Sequence, residues 1–273
     1  MTEAHGKFVW YELVTTDMQG AKAFYAHVVG WEARDMETAG FPYSLLTHAG
    51  APVAGLMKLP EDAGTPIAPH WLGYIAVDDV DRAVERLRGL GGSVYVPPTE
   101  IPGVSRFSIV ADSQRATFAL IKRLKPREAA PPGPGEPGQI GWQELLAADW
   151  ERAFAFYNKL LGWQEIERRP SPMGVYQCFA AGAELMGGML DKPPTLPYPF
   201  WLYYFNVSDI DRAATRVEEG GGEIYYGPIE APNGAFVAHC ADPQGATFAL
   251  IERRMRKPVG YIVPPDPGPA RKR

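Results

Sequence analysis

The sequence predicts an α+β protein of two tandem domains, each assembled from two paired β-α-β-β-β units around a cleft. Three observations carry that reading: a long motif written twice, a second motif written twice, and a stretch between the copies that suits neither a helix nor a central strand. WYELVTTDMQGAKAFYAHVVGW runs from Trp10 to Trp31 and WQELLAADWERAFAFYNKLLGW from Trp142 to Trp163. Trp10, Glu12, Asp17, Phe24, Tyr25, Gly30 and Trp31 recur 132 positions on as Trp142, Glu144, Asp149, Phe156, Tyr157, Gly162 and Trp163. WLGYIAVDDVDRA from Trp71 returns 130 positions on as WLYYFNVSDIDRA from Trp201. Between Leu124 and Gln139 the chain reads KPREAAPPGPGEPG, where prolines remove donors and glycines add backbone entropy. The expected layout is a first domain over 1–124 (units about 7–59 and 70–124) and a linker over 125–138. A second domain over 139–254 (units about 139–190 and 200–254) and an extended, basic, proline-rich tail over 255–273 complete it.

Within each domain the local signals come in a constant order. Residues 8–15 alternate on a period of two and read as a strand. Asp17 stands at an N-cap, Ala21, Phe24, Tyr25 and Val28 share one helical face, and Gly30 closes the helix. Apolar runs at 41–47 and 51–58 flank a His48-Ala49-Gly50 turn and read as a hairpin. The second unit repeats the order: a strand over 71–77, a helix after Asp79 with Ala83, Val84, Leu87 and Leu90 inward, and strands near 93–96, 105–110 and 116–122. A sheet covered on one face by its helix leaves the other free, so two units can curl their free faces around a cleft.

Bulk properties narrow the function classes. The net charge of −5 is dispersed, which argues against nucleic acid. No apolar run reaches the roughly 18 residues of a membrane span, and the N-terminus lacks a signal-like h-region, so a cytoplasmic protein is expected. Cys178 and Cys240 read as reduced, buried small hydrophobes. Gly91-Gly92 and Gly220-Gly221-Gly222 follow helices instead of opening them and read as C-caps, not phosphate loops.

The strand-Asp-helix-FY-x-x-x-x-GW runs, the V-x-D-x-D-x-A runs at Val77–Ala83 and Val207–Ala213, and the D-x-x-x-A-T-F-A-L runs at Asp112–Leu120 and Asp242–Leu250 carry a family likeness. The chain resembles the vicinal oxygen chelate superfamily of glyoxalase I, bleomycin-resistance proteins and extradiol dioxygenases, and within it the tandem-domain bacterial glyoxalase-like proteins. The resemblance implies glyoxalase-like domains and, in the enzymes, a divalent metal held from the first strand of each unit and from the last strand of the second. The positions matching those ligands are Trp10, Leu72 and Ala119 in the first domain and Trp142, Leu202 and Ala249 in the second. None supplies a donor, and Glu184 is the sole carboxylate in the stretches 51–58 and 183–189. No metal and no cofactor are therefore expected.

Alternation puts Trp10 and Glu12 on one face of the first strand, with Trp142 and Glu144 as their repeats. A carboxylate in mid-strand needs a partner, because an unpaired buried charge is heavily penalised. Glu12 and Glu144 are accordingly the candidate catalytic bases, or the groups that pin the cleft or receive a polar ligand. Tyr43, Met57, Tyr74 and Arg106 join the first expected cleft, and Tyr176, Met189, Tyr204, Phe236 and His239 the second. His70 and His239, at non-equivalent places, read as structural or ligand hydrogen-bonding groups, while His5, His27 and His48 read as solvated. Aromatic and methionine linings suit a flat apolar ligand. The leading expectation is metal-independent binding of a small, partly aromatic metabolite or drug by a monomer or homodimer, with no nucleic-acid or membrane partner. Two alternatives stay open: a metal-free lyase, isomerase or hydrolase using a cleft glutamate with Tyr74 or Tyr204 as donor, and a structural or signalling interaction protein.

Overall fold

A computed structural model describes residues 4–37, 41–60, 67–124, 133–171 and 173–253. The expected tail, and the linker up to 132, lie outside the described residues. The first domain runs β1 (Phe8–Thr15), α1 (Met18–Val29), β2 (Glu32–Met36), β3 (Tyr43–His48), β4 (Ala51–Lys58), β5 (His70–Ala76), α2 (Val80–Gly89), β6 (Ser93–Ile101), β7 (Ser105–Ala111) and β8 (Thr117–Arg123). The second repeats it as β9 (Ile140–Ala147), α3 (Trp150–Leu161), β10 (Gln164–Ser171), β11 (Gly174–Ala181), β12 (Glu184–Asp191), β13 (Phe200–Asn206), α4 (Ile210–Glu219), β14 (Glu223–Glu230), β15 (Phe236–Ala241) and β16 (Thr247–Glu252). The fold is α+β, as the repeated motifs predict.

Each domain forms one eight-stranded sheet, ordered β2-β3-β4-β1-β5-β8-β7-β6 and β10-β11-β12-β9-β13-β16-β15-β14. The last strand of every unit returns parallel to its first, and the two units join through the antiparallel pairs β1·β5 and β9·β13. Four aspartates explain where the helices start. Asp17 Oδ1 accepts from Gln19 N at 3.1 Å and Gly20 N at 3.0 Å, and Asp79, Asp149 and Asp209 accept from Arg82, Arg152 and Arg212 N. Gly30 and Gly162 stop α1 and α3 in the left-handed region, at φ 74° and 77°, where a side chain would be strained.

Two features go beyond what alternation shows: where the strand after the helix lies in the first β-α-β-β-β unit of each domain, and how far β6 extends. β2 and β10 are strands although all five residues of β2 are exposed and β10 is largely charged; both are sheet edges, where charge blocks unwanted pairing and hides the apolar alternation. β6 runs on through Pro97-Pro98 to Ile101, with breaks in register, because an edge strand tolerates missing donors.

The convex faces of the two sheets share one apolar core. Phe8 packs edge-on against Trp201 at 5.3 Å, Trp71 against Phe205 at 5.0 Å, and Tyr203 OH accepts from Gly73 N at 2.8 Å. Helix α1 lies against the other domain, with Phe24 edge-on to Phe248 at 5.9 Å. Trp31 and Trp163 are buried and donate to Gly138 O and Gly6 O, so they seal the junction between the halves. This back-to-back packing leaves both concave faces pointing outward, each with its own small apolar cluster.

Candidate functional site

The concave face of the first domain is built around Glu12. Register puts Gly55 on β4 and Leu72 on β5 beside it, with Tyr74 opposite Trp10 on one side and Ala119 on the other. Tyr74 donates to Glu12 Oε2 at 2.5 Å, Tyr43 also donates to Glu12, and Trp10 donates to Tyr43. The second domain repeats the arrangement. Trp142 Nε1 donates to Tyr176 OH at 2.8 Å, and Tyr176 and Tyr204 both hydrogen-bond Glu144. Each cleft therefore holds a Trp-Tyr-Glu-Tyr network. Gly55 and Gly188 are what admit it: a Cβ there would stand 2.1 Å from Tyr43 Oη and 2.1 Å from Tyr176 Cε1.

Both glutamates are only 6% exposed. Burial pushes the Glu12 carboxyl above its usual range, and its two tyrosine donors only partly offset that. Burial pushes Glu144 up to about 7, again against two tyrosine donors. The clefts differ at one position that matters chemically. Ile109 pairs with Ala119 in the first, whereas His239 pairs with Ala249 in the second. His239 Nε2 lies 2.9 Å from Tyr204 OH, and its ring packs against Tyr226 at 5.4 Å. Burial lowers the imidazole to about 4, so it is neutral at physiological pH.

Trp10, Glu12, Tyr43, Tyr74, Trp142, Glu144, Tyr176, Tyr204 and His239 thus come together as two networks on two clefts, and Met57, opposite Tyr43, shares the first. Three other expected lining residues do not. Met189 pairs with Leu145 and lies fully buried in the core between the sheets; Gly188, one residue earlier, shares the face of Glu144, and a slip of one residue reverses a side chain. Arg106 forms a two-pronged ion pair with Asp81 of α2, both contacts at 2.7 Å, on the helix-covered face. Phe236, its counterpart in the repeat, packs on the shared core. The concave positions on those strands are Phe107 and Ile109, and Val237 and His239. Both faces of β7 and β15 carry apolar residues, so alternation alone leaves their parity open. The hairpin register onto Ala119 and Ala249 would have settled it.

The remaining histidines have partners rather than water alone. His5 lies 3.4 Å from an Asp78 oxygen, His27 3.3 Å from Glu219 of α4, and His48 Nδ1 3.3 Å from Gly30 O. His70, opposite Val14 on the face that carries Leu72 and Tyr74, hydrogen-bonds Ala68 O through Nδ1. Glu184 pairs with Lys7 at 2.7 Å. Cys178 and Cys240 are free and buried.

A divalent metal does not fit this donor set. A catalytic zinc takes about three nitrogen, sulfur or oxygen ligands from the protein. The ligand-matching positions are two tryptophans, two leucines and two alanines, packed among apolar neighbours. Among the described residues no group of three or more His, Cys, Asp or Glu is placed to hold an ion. Nor, among them, is any helix long and apolar enough to cross a membrane.

Paired β-α-β-β-β units around outward clefts define a glyoxalase-type scaffold. Residues 7–120 and 139–250 each match the Glyoxalase/Bleomycin resistance protein/Dioxygenase superfamily, and the chain belongs to it. It is 32% identical over 246 residues to a Mycobacterium tuberculosis protein named "Putative glyoxylase CFP32", covering 89% of this chain and 93% of that one. It is 28% identical over 275 residues to the anthracycline biosynthesis protein DnrV of Streptomyces peucetius, covering 94% and 96%. Among solved structures it is similar to a Mn(II)-bound glyoxalase from Novosphingobium aromaticivorans, with a TM-score of 0.60, 17% identity and coverage of 91% and 82%. It is also similar to 2,2',3-trihydroxybiphenyl 1,2-dioxygenase from Sphingomonas wittichii, with a TM-score of 0.63, 14% identity and 91% coverage of both chains. At those identities the structures share the fold with this chain, and nothing more is carried over.

Proposed function

We propose that this protein binds a small, partly aromatic molecule in its outward clefts without using a metal ion. The observation that carries the reading is the replacement of ligand-type residues by Trp10, Leu72 and Ala119, and by Trp142, Leu202 and Ala249, around a carboxylate already held by two tyrosines. Such a surface offers π-faces and apolar area to a flat ring, with a few polar anchors to orient it. The Streptomyces relatives named for anthracycline biosynthesis are in keeping with that ligand class. The test has two arms. Protein purified without chelator is expected to carry far less than one equivalent of zinc, nickel, iron or manganese by elemental analysis. A panel of mono- and polycyclic aromatics is expected to include members that raise the melting temperature and are retained in native mass spectra. Stoichiometric metal lost on Glu144→Gln would overturn the metal-free part; a panel without a single binder would overturn the rest.

A second reading, a metal-free lyase, isomerase or hydrolase, is favoured by one observation: Glu144 is held near 7, the range in which a general base works at neutral pH. It predicts turnover that Glu144→Gln abolishes while the fold survives.

A further inference from the structure

The two clefts share the tryptophan, both tyrosines and the glutamate, so the imidazole that meets Tyr204 in the second, where the first has Ile109, asks for an explanation. His239 touches Tyr204 through Nε2, and Tyr204 touches Glu144, so three ionisable side chains form a continuous hydrogen-bonded line. Nδ1, on the other side of the ring, has no protein partner among the described residues. The side chain is incompletely buried, on the concave face beside the half-exposed Tyr226. One end of the line is therefore a desolvated carboxyl and the other an unused acceptor on the open side of the cleft.

We propose that the second cleft captures an acidic phenol or enol and passes its proton through His239 and Tyr204 to Glu144. This deepens the function proposed above and rests on it, since it names the ligand class of one of the same clefts. The transfer balances without a co-reactant. The ligand O–H gives its proton to Nδ1, the Nε2 proton moves to the Tyr204 oxygen, and the Tyr204 hydroxyl proton moves to the Glu144 carboxylate. The products are a ligand oxyanion accepting from Nδ1–H, the other neutral tautomer of the imidazole, and a protonated Glu144. No bond other than those to hydrogen changes, and no net charge enters the protein interior from solvent. Charge leaves a desolvated carboxylate and settles on an oxygen at the mouth of the cleft, where water solvates it better. Burial lowers His239 and raises Glu144, which keeps the imidazole neutral as a conduit and makes the carboxyl a competent acceptor.

The other charged and titratable groups around the line leave its direction intact. Tyr176 on β11 donates to Glu144 and accepts from Trp142, and Tyr226 on β14 flanks the ring. Arg169 on β10, opposite Tyr176, is paired with Glu167 at 2.6 Å, and Arg253 beyond β16 donates to Gly141 O. The neighbours on β12 and β16 are Gly188 and Ala249, which cannot titrate. The first cleft cannot perform the same transfer, because Ile109 stands where the imidazole would be.

The experiment uses the full chain and 3-nitrophenol, whose phenolate absorbs visible light while the neutral form does not, at about pH 7.5, where Glu144 is mostly ionised and the free probe is still mostly protonated. 3-Nitroanisole, the same ring without the acidic hydroxyl, serves as the comparison. Wild-type protein is expected to develop the phenolate band on binding, saturating at one equivalent per chain. His239→Ile, which installs the residue of the first cleft, is expected to lose the band at least tenfold at concentrations that saturate the variant with 3-nitroanisole. Ile109→His is expected to add a second ionising equivalent, which keeps the idea testable if His239→Ile folds poorly. Binding of both compounds with no phenolate band, or a band that survives His239→Ile, overturns the relay and leaves metal-free aromatic binding standing. Failure of both ring compounds to bind overturns the two together.

Discussion

Tyr25 of the first domain donates to the buried carboxylate of Asp242 in the second at 3.0 Å, and Tyr157 of the second donates to Asp112 of the first at 3.1 Å. The aspartates are the first residues of the D-x-x-x-A-T-F-A-L runs. Each also accepts two backbone N–H groups of the turn it opens, such as Gln114 N at 2.8 Å and Ala116 N at 2.9 Å. The tyrosines are in turn held by Trp71 and Trp201. Two of the repeated motifs are thus halves of one reciprocal clamp across the domain junction. Removing a hydroxyl leaves a buried carboxylate one donor short and orphans an indole N–H, a loss of about 1–3 kcal/mol. Tyr25→Phe and Tyr157→Phe are expected to lower the calorimetric melting temperature by several degrees and by similar amounts. Wild type, with one continuous core, is expected to melt in a single transition; two resolved peaks would count against the clamp.

Gly188→Ala separates steric from chemical consequences. The added methyl meets the Tyr176 ring, which must swing aside and leave Trp142 Nε1 unpaired and the buried Glu144 one donor short, so stability should fall by about 1–3 kcal/mol. The swing breaks the Trp142–Tyr176–Glu144 line, and affinity for an aromatic ligand of the second cleft is expected to fall at least tenfold by calorimetric titration. Unchanged affinity would mean that the tyrosine contributes nothing to recognition.

Much of this was legible before any coordinates. The duplication, the N-cap aspartates, the helix-ending glycines and the mid-strand pair Glu12 and Glu144 all depend on local chemistry that repeats at constant spacing. What was illegible is what depends on parity or on the other domain. Arg106, Met189 and Phe236 lie on strands apolar on both faces, where nothing in the alternation says which side is which. Asp242, which Tyr25 reaches, and Gly138, which Trp31 reaches, lie more than a hundred residues away, so neither contact can be read from the local pattern. Gly55 and Gly188 look like strand defects until the tyrosine that fills each space is seen.

Metal removal offers a third expectation. If Trp142, Leu202 and Ala249 leave no ligand set, the folded state gains nothing from a bound cation. Incubation with excess chelator should shift the melting temperature by less than about one degree, and added zinc or nickel should not raise it. A chelator-induced drop of several degrees would show a bound ion contributing to the fold.

The pH dependence of stability tests Glu144 directly. Its carboxyl rises from an ordinary 4.5 to about 7 on folding, so between those values the native state holds a proton that the unfolded chain has released. Unfolding is then favoured as pH rises: the contribution is fully present below about pH 4.5, declines through the window, and is lost above about pH 7. His239, lowered to about 4, acts in the opposite sense, adding stability as pH rises from about 4 to the ordinary histidine value near 6.5. Burial raises Glu12, Asp112 and Asp242 as well, so the wild-type profile sums several slopes and does not isolate Glu144. The difference between Glu144→Gln and wild type removes the shared histidine contribution. That difference should be constant below about pH 4.5, grow in favour of the glutamine variant up to about pH 7, and level off there, with a total change of at most roughly 3 kcal/mol. Denaturant titrations at a series of pH values measure it. A pH-independent difference would place the Glu144 carboxyl in an ordinary environment and remove the acceptor from the proton line.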